Sequence, residues 1–149
     1  MPEKAATGKP SASSVDLQLP VQGRISSAFG VARRHGSHKG VDIAAARGTP
    51  IEASAAGEVV FSGWKQGYGK TVLIKHQEGT YTRYAHADKL MVARGDTVQM
   101  GQQVATVGAT GHATGPHLHF EIMQGNRPVN PLRAVADNTL GHVTVRIEK

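Results

Sequence analysis

Two histidines separated by one residue, His117 and His119, are the side chains of this sequence best spaced for shared chemistry. Residues i and i+2 of a β-strand point to the same face, so both imidazoles can serve one site. Far upstream, His38 and Asp42 add an imidazole and a carboxylate, both of which are zinc ligands. A zinc ion held by three protein groups keeps one position for water and becomes a hydrolytic centre. The pattern predicts that one histidine of the pair binds the ion and the other acts beside it.

The spacing between His38 and Asp42 restricts the backbone between them. In an extended strand, positions four apart are separated by roughly 13 Å, whereas two ligands of one ion need bonds of about 2 Å. A helix would bring them together, but Gly40 and the β-branched residues after it form helices poorly. We therefore expect a bend at Gly40, with His38 on a loop and Asp42 entering a strand. A loop histidine followed by a turn aspartate, without a ligand role, is the simpler interpretation of these residues alone.

The segment around the paired histidines has the period of a strand. In residues 116–123 apolar side chains take every second position, and His117, His119 and Glu121 take most of the others. This alternation brings the two imidazoles to one face at the start of the strand. A half-exposed strand whose outer face carries these polar residues is the alternative to a site.

A second alternating segment, residues 80–86, ends in His86. The alternation places His86 on the same face as Tyr84. Nothing in this pattern brings His86 near the other histidines, so a strand-end residue without a task is its simplest interpretation.

Composition and turn signals predict the fold class. The 149 residues suffice for one domain with a hydrophobic core, and the 18 glycines and 7 prolines punctuate short alternating segments. No long helical period is present. We predict an all-β fold of mostly antiparallel sheets, similar to a β-sandwich, with long loops around a groove and little helix. The predicted strands are 24–29, 41–43, 50–53, 57–63, 71–76, 80–86, 97–100, 103–107 and 116–123.

The ends of the chain differ in composition from its centre. Residues 1–16 are rich in Ser, Ala, Lys and Pro and are predicted to be a flexible N-terminal linker. Residues 17–135 are predicted to form the domain and residues 136–149 a C-terminal tail, in which the alternating residues 142–148 could form a last strand. The N-terminus lacks the apolar stretch of an export signal, and no segment is long and apolar enough to predict a membrane span.

The charge and the absence of cysteine narrow the partners and the site. With no cysteine, neither a disulfide nor a thiolate zinc site is possible, so a metal must use histidine and carboxylate. The net charge of +6 favours a polyanionic partner such as an anionic cell envelope. Its basic residues are scattered rather than gathered into a basic helix or stripe, which argues against nucleic acid.

Six ordered motifs carry a resemblance to a known family. They are HKGVD at 38–42, GTPIEASAAGEVVFSGW at 48–64, GYGKTVLIKH at 67–76, YAH at 84–86, GATGHATGPHLHFEI at 108–122 and RPVNPL at 127–132. Residues 23–132 thereby resemble the lysostaphin-like (LytM-type) zinc endopeptidases, which cleave peptide bonds in bacterial peptidoglycan. The resemblance covers about three quarters of the chain.

The resemblance implies a role for each of five side chains. His38, Asp42 and His119 would bind one Zn²⁺ ion, and His86 and His117 would be the catalytic residues beside it. The implied enzyme is a zinc metalloendopeptidase that hydrolyses peptidoglycan cross-links outside the cytoplasm. We expect a monomer, and a membrane anchor or regulatory segment could precede this chain. Four histidines match no such role: His35, His76, His112 and His142.

Three other functions compete with hydrolysis. A non-catalytic peptidoglycan-binding or amidase-activating module could share the fold, although such modules typically lack a zinc ligand and this chain has the full set. A sugar-phosphotransferase carrier, in which a histidine accepts phosphate, fits the paired motifs less well than a metal does. A lipoyl-type carrier is suggested by residues 92–107, but it needs a lysine at the hairpin tip, and residues 100–102 contain none.

Overall fold

The computed structural model describes residues 13–30, 32–33, 36–130 and 142–147. Strand accounts for 55% of the structure and helix for 3%, which confirms the predicted all-β class with little helix. The strands are β1 (Ser13–Gln18), β2 (Arg24–Ser27), β3 (Ala32–Arg33), β4 (Gly36–Ser37), β5 (Val41–Ala44), β6 (Pro50–Glu52), β7 (Gly57–Lys65), β8 (Gly69–Lys75), β9 (Thr80–Leu90), β10 (Thr97–Val98), β11 (Gln103–Val107), β12 (His117–Gln124), β13 (Arg127–Val129) and β14 (His142–Ile147). A 3-10 turn, Gln77–Gly79, joins β8 to β9.

Ten of these strands form one antiparallel sheet. Its main path runs β10-β7-β8-β9-β12-β5-β2, while β11 pairs with both β9 and β6, and β13 pairs with β12. Strand β9 is the branch point, because it pairs with β8, β12 and β11. Two further pairs, β1 with β14 and β3 with β4, lie outside this sheet. In the described part of the chain, no helix has the length and apolar character needed to cross a membrane.

The core lies on one face of the central strands. Leu118, Phe120 and Ile122 are fully buried, as the alternation of β12 predicts. The ring of Tyr84 on β9 packs against Phe120 with a centroid separation of 5.5 Å. Because β12 lies between β5 and β9, its opposite face meets side chains from both neighbours, and the candidate site lies there.

The strand bounds differ from the sequence prediction mainly at the ends of the chain. Strand β1 begins at Ser13, inside the segment predicted as a linker, and pairs with β14, inside the segment predicted as a tail. Residues 1–12 lie outside the described residues, as does the predicted boundary between 135 and 136. The alternation of residues 142–148 indicates the second of these strands, but its pairing with β1 has no local signature in the sequence.

A chain of buried hydrogen bonds crosses the core face, and His76 forms one end of it. The His76 Nδ1–H donates to the Ala56 carbonyl (2.8 Å), which leaves Nε2 to accept from the Thr82 hydroxyl (2.7 Å). Thr82 accepts in turn from the Tyr84 hydroxyl (2.6 Å), and Tyr84 accepts from the Ser54 N–H (3.0 Å). Carbonyl and amide groups have fixed roles, so they set the direction of every bond in this chain. Burial lowers the pKa of His76.

Candidate active site

The sheet register brings the two histidine-containing segments together. His119 on β12 lies directly opposite Asp42 on β5 and, on its other side, opposite Ala85 on β9. Cross-strand partners share a face of the sheet. Asp42 and His119 therefore point to the same side, although they are far apart in sequence.

Three side chains converge with the separations expected of metal ligands. His38 Nε2 lies 3.2 Å from both Asp42 Oδ1 and His119 Nδ1, and the last two atoms are 2.9 Å apart. For a tetrahedral zinc ion with bonds of about 2.0–2.1 Å, ligand atoms lie about 3.3 Å from one another. The donor set, two imidazoles and one carboxylate, also suits zinc. The three residues thus fit the ion that the sequence predicts for them.

His38 reaches the site from the bend expected at Gly40, and β5 begins directly after it. The His38 Nδ1–H donates to the Ala28 carbonyl (2.9 Å), which turns Nε2 toward Asp42. The reason for glycine differs from the expected one. A Cβ on Gly40 would lie 2.3 Å from the Phe120 carbonyl oxygen, so glycine is needed for close approach to β12 rather than for a special turn conformation.

His117 lies on the same face of β12 as His119, as the alternation predicts. Its Nδ1–H donates to the Gly115 carbonyl (2.9 Å), and its Nε2 lies 3.8 Å from Asp42 Oδ1. This nitrogen borders the cluster of ligand atoms without joining its closest contacts. His117 is therefore placed to act on a group held at the cluster.

The predicted face of His86 is wrong. Its ring lies 4.8 Å from the His117 ring and 6.0 Å from the His119 ring, on the site face, whereas Tyr84 is in the core. Between the pairs Tyr84–Val72 and Ala87–Lys70, two residues of β9 oppose one residue of β8, which is a β-bulge. His86 adopts a left-handed backbone there, with φ of 63°. The bulge reverses the alternation and turns the imidazole into the site.

A close contact between two loops holds His86 in this position. Its backbone N–H donates to the Tyr68 carbonyl (2.8 Å), and its Nδ1–H donates to the Thr110 carbonyl (2.6 Å). The Thr110 hydroxyl also bonds to the Ala87 carbonyl (2.7 Å). Gly69 makes the contact possible, because its φ is +72° and a Cβ there would lie 2.5 Å from Thr110. The loops thus leave Nε2 of His86 as the ring nitrogen available for proton transfer.

Glu121 also belongs to the site, although the sequence pattern places it only on the outer face of a strand. It is 1% exposed, so that face is covered rather than open to solvent. Its Oε2 accepts from His119 Nε2–H (2.7 Å) and from the Tyr68 hydroxyl (2.9 Å), and its Oε1 pairs with Arg83 Nη1 (2.7 Å). The signal that could have identified it is its position, since it continues the i, i+2 series of the two histidines.

The charges of the site favour ionised carboxylates beside a protonated imidazole. Burial alone would lower the pKa of His119, but its hydrogen bonds to Asp42 and Glu121 outweigh burial and raise that pKa. Burial opposes ionisation of Asp42 and Glu121, yet their hydrogen bonds to His119 hold both pKa values below the usual range. Burial lowers the pKa of His86, and repulsion from His117 adds to this effect. A divalent cation would replace the shared proton among these groups.

The remaining histidines stay apart from the cluster. His76 belongs to the hydrogen-bond chain on the core face, and His112 is exposed. The side chains of His35 and His142 lie outside the described residues. The five side chains that the structure brings together are His38, Asp42, His86, His117 and His119. They offer three ligands for a metal and two imidazoles for proton transfer beside it.

Known proteins share both the sequence and the structure of this region. The model of peptidase family M23 matches residues 36–131. The DD-carboxypeptidase/endopeptidase Mpg of Neisseria meningitidis serogroup B is 44% identical over 123 residues, which cover 78% of this chain and 28% of that protein. The murein hydrolase activator NlpD of Escherichia coli is 41% identical over 115 residues, which cover 76% of this chain and 30% of that protein.

A solved structure is also similar to this chain. A zinc-containing peptidase from Vibrio cholerae superposes with a TM-score of 0.71 at 39% identity, covering 75% of this chain and 37% of that one. The two curated relatives are much longer than the region they share with this chain, which spans only 28% and 30% of their lengths. Their similarity therefore concerns one region of each protein.

Proposed function

The chain belongs to peptidase family M23, and on that premise we propose that it is a zinc-dependent endopeptidase that hydrolyses peptide bonds in bacterial peptidoglycan. The observation that carries the proposal is the convergence of His38, Asp42 and His119, whose ligand atoms lie 2.9–3.2 Å apart. Two further imidazoles, of His86 and His117, border that cluster. A purely structural metal site does not require additional imidazoles beside its ligands, because its ion is fully coordinated by the protein.

The proposed mechanism divides the work between the metal and the two bordering histidines. His38, Asp42 and His119 would hold the zinc ion, which would supply a Lewis acid to polarise the scissile carbonyl and to lower the pKa of a water molecule. His86 and His117 each donate Nδ1–H to a backbone carbonyl, so each presents Nε2 to the site. One Nε2 accepts the proton of the attacking water and passes it to the departing amine nitrogen as the peptide C–N bond breaks, and the other, when protonated, donates a hydrogen bond to the developing oxyanion.

The proposed substrate and location follow from the relatives together with the charge. Mpg is a DD-carboxypeptidase/endopeptidase and NlpD is a murein hydrolase activator, so both relate to the cell wall. The net charge of this chain, +6, favours binding to an anionic cell envelope. We infer an extracytoplasmic site of action, with a peptidoglycan peptide as substrate and the monomer as the active form.

Hydrolysis of purified peptidoglycan by the metal-free and zinc-restored protein tests this proposal. The protein stripped with a chelator should release no soluble fragments, and one equivalent of added zinc should restore release. Mass spectrometry of the products should identify cleaved cross-link peptides with new amino termini. Undiminished cleavage by the metal-free protein would contradict the zinc mechanism.

A second candidate function is favoured by the 41% identity to NlpD. A murein hydrolase activator would release no fragments by itself and would instead increase release by an added peptidoglycan amidase. The same assay, run with and without an amidase, separates the two functions. Zinc-dependent cleavage without the amidase supports the endopeptidase, whereas stimulation of the amidase without any cleavage of its own supports the activator.

A further inference from the structure

Glu121 is a buried carboxylate that is not among the candidate metal ligands. It is 1% exposed, and its Oε2 lies 2.7 Å from His119 Nε2, on the side of the ring that faces away from the ligand cluster. The other ring nitrogen, Nδ1, lies 2.9 Å from Asp42 Oδ1 and 3.2 Å from His38 Nε2. The imidazole of His119 is therefore fixed between a carboxylate behind it and the cluster in front of it.

This contact decides which nitrogen of His119 can bind a cation. An ionised carboxylate only accepts hydrogen bonds, so the nitrogen beside Glu121 must carry a proton. The lone pair of the neutral ring then lies on Nδ1, which faces Asp42 and His38. In the opposite tautomer, a lone pair would face the carboxylate and an N–H would occupy the ligand position. Glu121 therefore favours the one tautomer that can complete the metal site.

Two donors from neighbouring elements hold the Glu121 carboxylate. Arg83 lies opposite Glu121 in the β9–β12 register, and its Nη1 is 2.7 Å from Oε1. The Tyr68 hydroxyl donates to Oε2 at 2.9 Å, and the Arg83 guanidinium lies 4.9 Å from the centre of the Tyr68 ring. Both carboxylate oxygens are thus engaged, and the charge of Arg83 balances the buried negative charge.

We propose that Glu121 is a positioning residue for the metal centre, which orients His119 so that Nδ1 is its ligand atom, and that Arg83 and Tyr68 hold Glu121 in place. This inference rests on the proposed zinc site. Hydrogen-bond partners behind a ligand histidine typically alter metal affinity by about 10–100-fold. His38, His86 and His117 each donate Nδ1–H to a backbone carbonyl, with the Ser27 hydroxyl also 3.4 Å from His38 Nδ1, whereas the N–H of His119 donates to a carboxylate.

The first test measures zinc affinity of the E121Q variant by competition with a chromophoric chelator. The substitution keeps the size of the side chain but removes the charge, and affinity should fall about 10–100-fold. Thr80→Val is the matched control, because Thr80 and Gln124 form a hydrogen bond across the same two strands away from the site. This control should bind zinc as the unmodified protein does. An E121Q affinity within threefold of the unmodified protein would overturn the inference.

A second variant separates positioning from the burial of an unpaired charge. In E121Q, Arg83 loses its carboxylate partner, and the fold itself could weaken. The double variant Glu121→Gln with Arg83→Met removes both charges, so its metal-free form should melt close to the unmodified protein. Its zinc affinity should nevertheless stay reduced, since the carboxylate behind His119 is absent. Affinity restored to the unmodified value would show that charge pairing, rather than orientation of His119, had been lost.

Nitrogen NMR of the zinc-bound protein reads the ring of His119 directly. The unmodified protein should show a protonated Nε2 and a metal-bound Nδ1, and the variant should show a changed chemical shift at one or both nitrogens. A metal-bound Nε2 in the unmodified protein would overturn the inference while leaving the proposed hydrolysis intact. Failure of the unmodified protein to bind zinc at all would overturn both proposals. Zinc binding without hydrolysis would overturn only the proposed activity, because the affinity comparison does not use turnover.

Discussion

At the scale of single residues, the site is built from imidazoles whose two nitrogens have different tasks. Each of the four rings donates one N–H to an oxygen, which leaves its other nitrogen to bind a metal or to transfer a proton. For His38, His86 and His117 that oxygen is a backbone carbonyl, so the backbone sets the ring orientation. Substitutions of neighbouring side chains should therefore disturb these three rings less than they disturb His119.

The two histidines of the pair should respond differently to removal. His117→Ala should keep about one zinc per chain but lose roughly 10²–10⁴-fold in hydrolysis, because a proton-transfer group is lost while the ligands remain. His119→Ala should lose both zinc and hydrolysis, since two ligands hold the ion poorly. Elemental analysis after dialysis and a peptidoglycan cleavage assay measure the two properties.

The exposed His112 provides the matched control for this pair of variants. His112→Ala should keep both zinc and hydrolysis. Equal zinc contents in the His117 and His119 variants would refute the division between a ligand and a catalytic residue.

At the scale of the strands, alternation correctly predicts which face of the sheet a side chain occupies where the strand is regular. It fails where a contact with another part of the chain introduces a bulge. The faces of His117, His119 and Phe120 follow from period two, and β12 is regular over its length. His86 does not follow, because its bulge depends on a hydrogen bond to the Tyr68 carbonyl in another hairpin. Residues 80–86 contain no glycine or proline from which such a bulge could be predicted.

The family motifs predict the proposed ligand set, but they do not predict the side chains that support it. A buried Glu121 is recognisable only when Arg83 and Tyr68 are seen to face it, and these residues come from different strands and a loop. Similarly, Gly40 was expected to permit a turn, whereas its contact with Phe120 shows that it permits close approach of two strands. Both contacts join residues that are far apart in the sequence, so no local pattern predicts them.

The hydrogen-bond chain of β8 and β9 predicts a pH-dependent stability centred on His76. Its Nε2 accepts from Thr82, so a second proton there would reverse bonds whose ends are fixed by amide and carbonyl groups. Burial lowers the pKa of His76 in the folded state. The unfolded chain then binds more protons below about pH 6.5, so stability falls as pH decreases from 6.5 toward the lower folded pKa.

Urea unfolding of the zinc-bound protein between about pH 7.5 and 5.5 measures this effect. His76→Gln should reduce overall stability but flatten its dependence on pH, because the titrating ring is absent. The site histidines are present in both proteins, so the difference between the two curves isolates His76. A surface control, His112→Gln, should keep the slope of the unmodified protein. Identical slopes for the unmodified protein and His76→Gln would remove His76 as the cause.

At the scale of the whole molecule, the net charge of +6 should aid retention on an anionic cell-wall polymer. Binding to purified peptidoglycan should weaken several-fold between about 0.05 and 0.5 M salt, because added ions screen exposed charges. Sedimentation with the insoluble polymer measures binding, and hydrolysis of a small uncharged peptide substrate should change little over the same range. Binding that does not depend on salt would remove this role of the charge.

The left-handed backbone at His86 sets a conformational cost against the catalytic role proposed for its side chain. A side chain with a Cβ in this conformation costs on the order of 1 kcal/mol, whereas glycine adopts it freely. The hydrogen bond from the His86 side chain to the Thr110 carbonyl offsets part of this cost, and the proposed proton transfer accounts for an imidazole rather than a glycine at this position. In relatives that do not hydrolyse peptidoglycan, glycine at this position would relieve the backbone strain. We therefore expect His86 to be substituted there more readily than the buried residues of the strands.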